Sequence, residues 1–385
     1  MVPNLVTLIA REGKVVHLEA QGYLDIDSRK PATVDSIFRL YSNSKPIAGT
    51  AVMMLYEEGL LKLDDPVSKY IPAFKNPLVL VPMGVGIDRS VPPSMIRTMP
   101  ARREVTIRDC LRNTTGLATP QRSPFALLTQ YREAIAESGW DLMESLNAAP
   151  RISYRERVEA HARLPLVFEP GTEFEYHVGY PVIGVIIEQI AGKNLEESYQ
   201  ERIFKPLGMK DTGFHISADK RDRVAQPLKL NPLTGQAQRI QTTAEEVHFE
   251  CGGGCSLGTV GDYVRFGQML MNGGRLDGHQ ILSPATVRLM TSNHLGKDIV
   301  NRVANVEPHR EGYGFGLGVA VRMEPGLASV PGNAGEYSWN GAYGTGFFAD
   351  PQEKLVVVYG TAAPGDLRKY YREQVQDLVY GAMTR

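Results

Sequence analysis

Residues 36–61, SIFRLYSNSKPIAGTAVMMLYEEGLL, pass from an extended apolar segment through four polar residues into a run that carries Ile47, Val52, Leu55 and Tyr56 at helical spacing. The run ends near Gly59, a residue type suited to stopping a helix. Ser42 therefore stands at the N-terminal end of a mostly buried helix, and Lys45 follows one turn later. A serine hydroxyl is a poor nucleophile at neutral pH and needs a base within hydrogen-bond reach. Spacing i, i+3 puts the lysine on the serine's face of the helix, and partial burial would lower its pKa into a useful range. The free N–H groups of the helix start, that of Ser42 included, can stabilise the anionic oxygen of a tetrahedral intermediate. The tetrapeptide S-x-x-K is common by itself, and a capping serine followed by a solvated lysine is the plain alternative. The context sets this one apart, because its lysine lies between FRLY and an apolar helix, where a core contact is expected.

Outward from this stretch, LVTLIA and KVVHLEAQGYLD are separated by Glu12-Gly13, which predicts a β-hairpin over residues 5–25. From Asp64 to about Lys210 the texture is mainly helical, with TIRDCLRN, SPFALLTQYREAIAES and YPVIGVIIEQIAG as helical stretches. Residues 75–104 have no clean period and many prolines, so they read as a long loop. The last third returns to short apolar runs broken by glycine, GYGFGLGVAVRM, AYGTGFFADP and KLVVVYGTA, followed by the amphipathic YYREQVQDLVYGAM. Strands at both ends of the chain with helices between them predict an α/β fold. Residues 1–63 and 211–385 would form a sheet domain, and residues 64–210 an inserted, mainly helical lobe.

The 385 residues carry 42 basic and 43 acidic side chains, so no global field gathers nucleic acid or an anionic membrane surface. The expected partner is a small molecule; oligomeric state stays open. The three cysteines, Cys110, Cys251 and Cys255, read as reduced buried side chains, although the spacing of the last two would allow a local bridge. No cluster calls for a metal or cofactor. The N-terminus lacks the charged leader and cleavage site of a signal peptide, and no apolar stretch reaches the ~18–20 residues needed to span a bilayer, so a cytoplasmic location is expected.

In order along the chain, SIFRLYSNSKPI, YEEGLLKLDDPVSKYIPAF, TIRDCLRNTTGL, PGTEFEYHVGYPVIG, FKPLGMKDTGF, GGGCSLGTVGDYVRFGQMLMNGG with LSPATVRLMTSNHL, YGFGLGVAV and WNGAYGTGFFADP resemble the serine β-lactamase and penicillin-binding protein superfamily. The likeness is strongest to its esterase branch, the family VIII carboxylesterases, and covers nearly the whole chain. It implies a β-lactamase-like fold, with Ser42 as nucleophile and Lys45 as its activating neighbour. Tyr176, which opens Tyr176-His177-Val178, resembles the tyrosine that shares the proton with the lysine. A phenol serves as a base only if adjacent positive charge lowers its pKa from ~10, a task for Lys45. Trp339-Asn340-Gly341 stands where β-lactamases have Lys-Thr-Gly, which makes the amide of Ala342 the second oxyanion donor. Trp339 cannot supply the cation that holds a β-lactam carboxylate, but would offer a flat apolar wall to an acyl or alcohol group. Val178 replaces the asparagine of the family's Tyr-x-Asn and cannot hydrogen-bond a substrate amide. With Trp339, Gly341 and Val178 read as substrate-binding residues, neutral esters fit better than penicillins.

A competing motif is Gly254-Cys255-Ser256-Leu257-Gly258, which matches the G-x-S-x-G nucleophile elbow of α/β-hydrolases and would nominate Ser256. An elbow needs a buried strand before its serine, yet QTTAEEVHFECGGG is polar and glycine-rich. Asp277 with His279, His294 or His309 could complete a triad, but none has a recognisable context. The glycines are better explained as letting backbone pass close to the active-site cleft. The readings that remain are a carboxylesterase acting through a Ser42 acyl-enzyme, a β-lactam or amide hydrolase or acyltransferase on the same residues, and a penicillin-receptor-like protein that deacylates slowly.

Overall fold

The computed structural model describes residues 2–81, 90–119, 122–124, 153–176, 178–238 and 250–383. His177, the body of the expected helix SPFALLTQYREAIAES and residues 239–249 lie outside the described residues.

An eight-stranded antiparallel sheet draws its strands from both ends of the chain. The N-terminal strands are β1 (Asn4–Arg11), β2 (Lys14–Asp25) and β3 (Lys30–Pro31), and the C-terminal ones are β4 (Tyr313–Phe315), β5 (Ala320–Arg322), β6 (Tyr337–Asn340), β7 (Gly346–Asp350) and β8 (Leu355–Gly360). Their order is β4-β5-β6-β7-β8-β1-β2-β3, so the two ends of the chain meet where β8 pairs with β1, Leu8 opposite Val358. The β1–β2 hairpin turns at Glu12 (φ 52°) and Gly13 (φ 76°), the two left-handed residues of a tight primed turn.

Alternation along the strands sorts side chains onto two covered faces. Val6, Leu8 and Ala10 of β1, Phe347 and Ala349 of β7, and Val356 and Val358 of β8 enter the main core. That core also takes the apolar sides of α1 (Ser44–Glu57), α2 (Gly179–Ala191) and α3 (Val260–Met271). Phe348, Leu355, Val357 and Tyr359 point the other way and meet Val375, Val379 and Tyr380 of α4 (Leu367–Gly381). Because β8 is covered on both sides, all six of its residues are buried, and its sequence LVVVYG loses the polar alternation of a half-exposed strand. The architecture is an α/β fold with an antiparallel sheet flanked by helices.

Two expectations need correction. The stretch 75–104 is not loop throughout, since Leu78–Val81 pairs antiparallel with Arg97–Pro100. Its prolines lie mostly outside the paired residues, which leaves enough backbone donors for a short ribbon. Cys251 and Cys255 are joined as a disulfide, while Cys110 is free and buried. The turn through Gly252–Gly254 brings the two Cα atoms to 5.5 Å, inside the span a bridge requires. Among the described residues no helix is long and apolar enough to cross a membrane, and no group of three or more His, Cys, Asp or Glu side chains could hold a metal ion.

Candidate active site

The short strand Ile37–Arg39 pairs with Leu257–Thr259 and delivers the chain to a tight turn, Tyr41–Asn43, that runs directly into α1. Pro46 is tolerated because it lies in the first turn of α1, where its missing N–H leaves no helical bond unmade. Tyr41, the residue before Ser42, has φ 46°, a left-handed conformation costing about 1–3 kcal/mol for a side chain of this size. Its ring stacks on Tyr343 with centroids 4.9 Å apart and planes within 6°. Around it, Leu40 N–H donates to Ser256 O (2.9 Å), Thr345 Oγ1 donates to Leu40 O (3.1 Å) and Tyr263 OH donates to Asn43 O (2.8 Å). The turn that presents Ser42 is thus held from three separate elements.

Lys45 is almost fully buried, and its Nζ donates to Ser42 Oγ at 3.1 Å and to the carbonyl of Gly253 at 2.6 Å. The same nitrogen lies 4.9 Å from the centre of the Tyr176 ring and 5.4 Å from that of Tyr180. Ring faces favour a cation, by about 2 kcal/mol at most when desolvated. Burial outweighs them and pulls the amine down to about 7. The positive end of α1 acts in the same direction as burial. At neutral pH a large fraction of Lys45 is therefore a neutral amine, able to take a proton from the serine it touches.

Tyr176 shares a hydrogen bond with Ser42 and accepts one from Trp339 Nε1 at 2.9 Å. Withdrawal from water raises its phenol above the ordinary value, and these two hydrogen bonds only partly oppose that. The expectation that Lys45 lowers the tyrosine is not met, because burial neutralises the lysine that was to supply the charge. The two groups are pushed apart, one toward a base and the other toward a retained proton.

Trp339, Gly341 and Val178 sit differently from the expected apolar wall. The indole of Trp339 is only 2% exposed, packed edge-on against Phe315, covered by the Arg310 guanidinium at 5.1 Å and bonded to Tyr176. It orients the tyrosine, since its one N–H is used there and its ring faces are occupied. Val178 belongs to the main core at the start of α2, so its side chain packs inward. Gly341 touches the nucleophile turn: a Cβ there would lie 2.2 Å from Leu40 O, so only glycine permits the approach. Ala342, next in the chain, is exposed beside that turn.

Ser256 lies before the strand Leu257–Thr259, not after one, and is 2% exposed. Its hydroxyl is 2.5 Å from that of Ser44, while His279 lies exposed in the short strand His279–Gln280 and the other partners weighed for it are engaged elsewhere. His294 bonds to Leu289 O and faces Arg108, His309 faces Glu307, and Asp277 pairs with Arg265. The Gly-rich loop does approach the site, as the sequence suggests. A Cβ on Gly253 would lie 2.5 Å from Tyr180 Cβ and 3.4 Å from Lys45 Nζ. Sequence reasoning missed the Gly253 carbonyl as the second acceptor for Lys45, for which the run of three glycines was the available signal. It also missed the strained Tyr41, which no local pattern announces.

The model of the beta-lactamase family matches residues 1–379. Protein Rv1367c of Mycobacterium tuberculosis is 32% identical over 93% of this chain and 85% of its own length. Esterase EstB of Burkholderia gladioli is 28% identical over 90% of this chain and 82% of its own. Among solved structures, EstCE1, described as a hydrolase with promiscuous acyltransferase activity, superposes with a TM-score of 0.73 at 27% identity, covering 99% of this chain and 94% of that one. A buried lysine on a helix-start serine, a tyrosine facing both, and a match along nearly the whole length lead to one statement: the chain belongs to the beta-lactamase family, among relatives that include esterases.

Proposed function

We propose that the protein is a carboxylic ester hydrolase that works through an acyl-enzyme on Ser42. The observation that carries this reading is Lys45 Nζ, buried, lowered to about 7 and 3.1 Å from Ser42 Oγ. Neutral Lys45 takes the hydroxyl proton as Ser42 Oγ attacks the ester carbonyl. The oxygen that becomes anionic is met by the amides of Ser42 and Ala342. Tyr176, which keeps its proton at neutral pH, hands it to the departing alkoxide and is reprotonated by the proton that Lys45 took from Ser42, which leaves the lysine neutral again. Water then enters where the alcohol left, and the same lysine deprotonates it to release the acid. The related esterases support ester substrates over β-lactams, as does the absence of a lysine at position 339.

Short-chain p-nitrophenyl esters test the reading. The expected result is a burst of one equivalent of p-nitrophenol followed by steady turnover, with kcat/KM rising as pH passes about 7 because the active lysine is the deprotonated one. No turnover of any ester, with a chromogenic cephalosporin hydrolysed instead, would overturn it.

A further inference from the structure

From α4, Arg372, which is 3% exposed, reaches the turn that follows β6. One terminal nitrogen of its guanidinium donates to the carbonyl of Gly341 and the other to the carboxylate of Glu307. Gly344 N–H donates to the same Gly341 carbonyl at 3.1 Å. Burial alone would push the Glu307 carboxyl up, but Arg372, Arg310 and His309 hold it below its ordinary range, so the pair is ionic at neutral pH.

The Gly341 carbonyl and the Ala342 N–H are the two ends of one peptide unit. Hydrogen bonds accepted at the oxygen draw electron density through the amide and make its N–H a stronger donor, by about a tenth to a third per bond, and a cationic donor does so more than a neutral one. Among the described residues the Ala342 amide takes part in no backbone hydrogen bond. That N–H, on an exposed residue next to the Gly341 that touches Leu40, is the group the proposed function assigns to the anionic oxygen.

We propose that Arg372, held by Glu307, is a positioning residue that polarises and fixes the Gly341–Ala342 peptide and so strengthens the second oxyanion donor. The proposal rests on the reading of Ala342 as that donor. It explains why a guanidinium is buried behind a glycine-rich turn, where an apolar side chain would cost less. Its role is exerted through the peptide, without contact with substrate.

The experiment uses p-nitrophenyl butyrate turnover together with the infrared stretch of a 13C-labelled acyl carbonyl on Ser42, which falls as the oxyanion donors pull harder. Arg372→Gln is expected to lower kcat about tenfold with KM within about twofold, and to move the acyl stretch to higher frequency. Arg372→Lys, which keeps the charge but reaches only one of the two partners, should recover part of both effects. Glu307→Gln should give a smaller loss in the same direction. If Arg372→Gln does not fold, the lysine variant and Glu307→Gln carry the same two readouts. A folded Arg372 variant with unchanged kcat and unchanged stretch would overturn the proposal. Ala342→Pro, which deletes the N–H, separates this from the underlying reading. Full activity in Ala342→Pro would remove Ala342 from the oxyanion hole altogether, whereas a crippled Ala342→Pro beside an unaffected Arg372→Gln would refute only the role of Arg372.

Discussion

Ser42 and Ser256 each sit in a motif that marks nucleophiles, and both adjoin Ser44, Ser42 two residues before it along the chain and Ser256 across a hydrogen bond. Ser42 is partly open and touches a lysine whose proton affinity has been lowered by burial. Ser256 is closed off and touches another hydroxyl, which has no basicity to offer. On the proposed reading, reactivity follows the electrostatics of the neighbour, and Ser256, despite its pentapeptide, fastens the loop that carries the Gly253 carbonyl to the start of α1.

The largest effect that could break this contrast is in Ser42→Ala, expected to lose about 10^4-fold or more in kcat while retaining its fold, measured by ester turnover and circular dichroism. Survival of the burst in that variant would leave Ser42 without its role. Next is Lys45→Met, which should be nearly as inactive yet more stable. The folded lysine titrates at about 7 against 10.5 in a free chain, so between those values the unfolded state binds the extra proton and stability rises with pH. Removing the amine should therefore stabilise the protein by on the order of 2 kcal/mol at pH 7, with the gain shrinking as pH rises toward 10.5 and lost above it, as urea titrations near pH 7 and pH 10 would report. A destabilised Lys45→Met would mean that the burial of the amine costs the fold nothing. Trp339→Phe keeps an aromatic ring but deletes the donor to Tyr176; a drop in kcat of about tenfold with little change in KM is expected. The smallest effect belongs to Ser256→Ala, with activity within about threefold and a stability loss of about 1 kcal/mol from the unpaired Ser44 hydroxyl.

Much of this was legible without coordinates. The hairpin at Glu12-Gly13 and the helix after Lys45 follow from turn chemistry and from the spacing of apolar residues, both local properties. The disulfide was not, because Cys251-Gly-Gly-Gly-Cys255 permits both a bridge and two buried thiols, and only the path of the turn decides between them. Trp339 was misjudged for a related reason. Its residue type announces a large apolar surface, but whether substrate or protein covers that surface depends on Phe315 and Arg310, which meet it through the sheet and the segment before β4.

By itself, the sequence determined which side chains could perform the chemistry and in what order along the chain they stand, since a nucleophile, a base and a proton donor are chemical identities. Tertiary structure alone decided their states. The Lys45 amine is pulled down because the first turns of α1 are buried, and the Tyr176 phenol is pushed up because burial excludes water from it. A pKa is a difference in solvation and in neighbouring charge between two forms of a group, and both are fixed by residues hundreds of positions away, which a linear motif cannot contain.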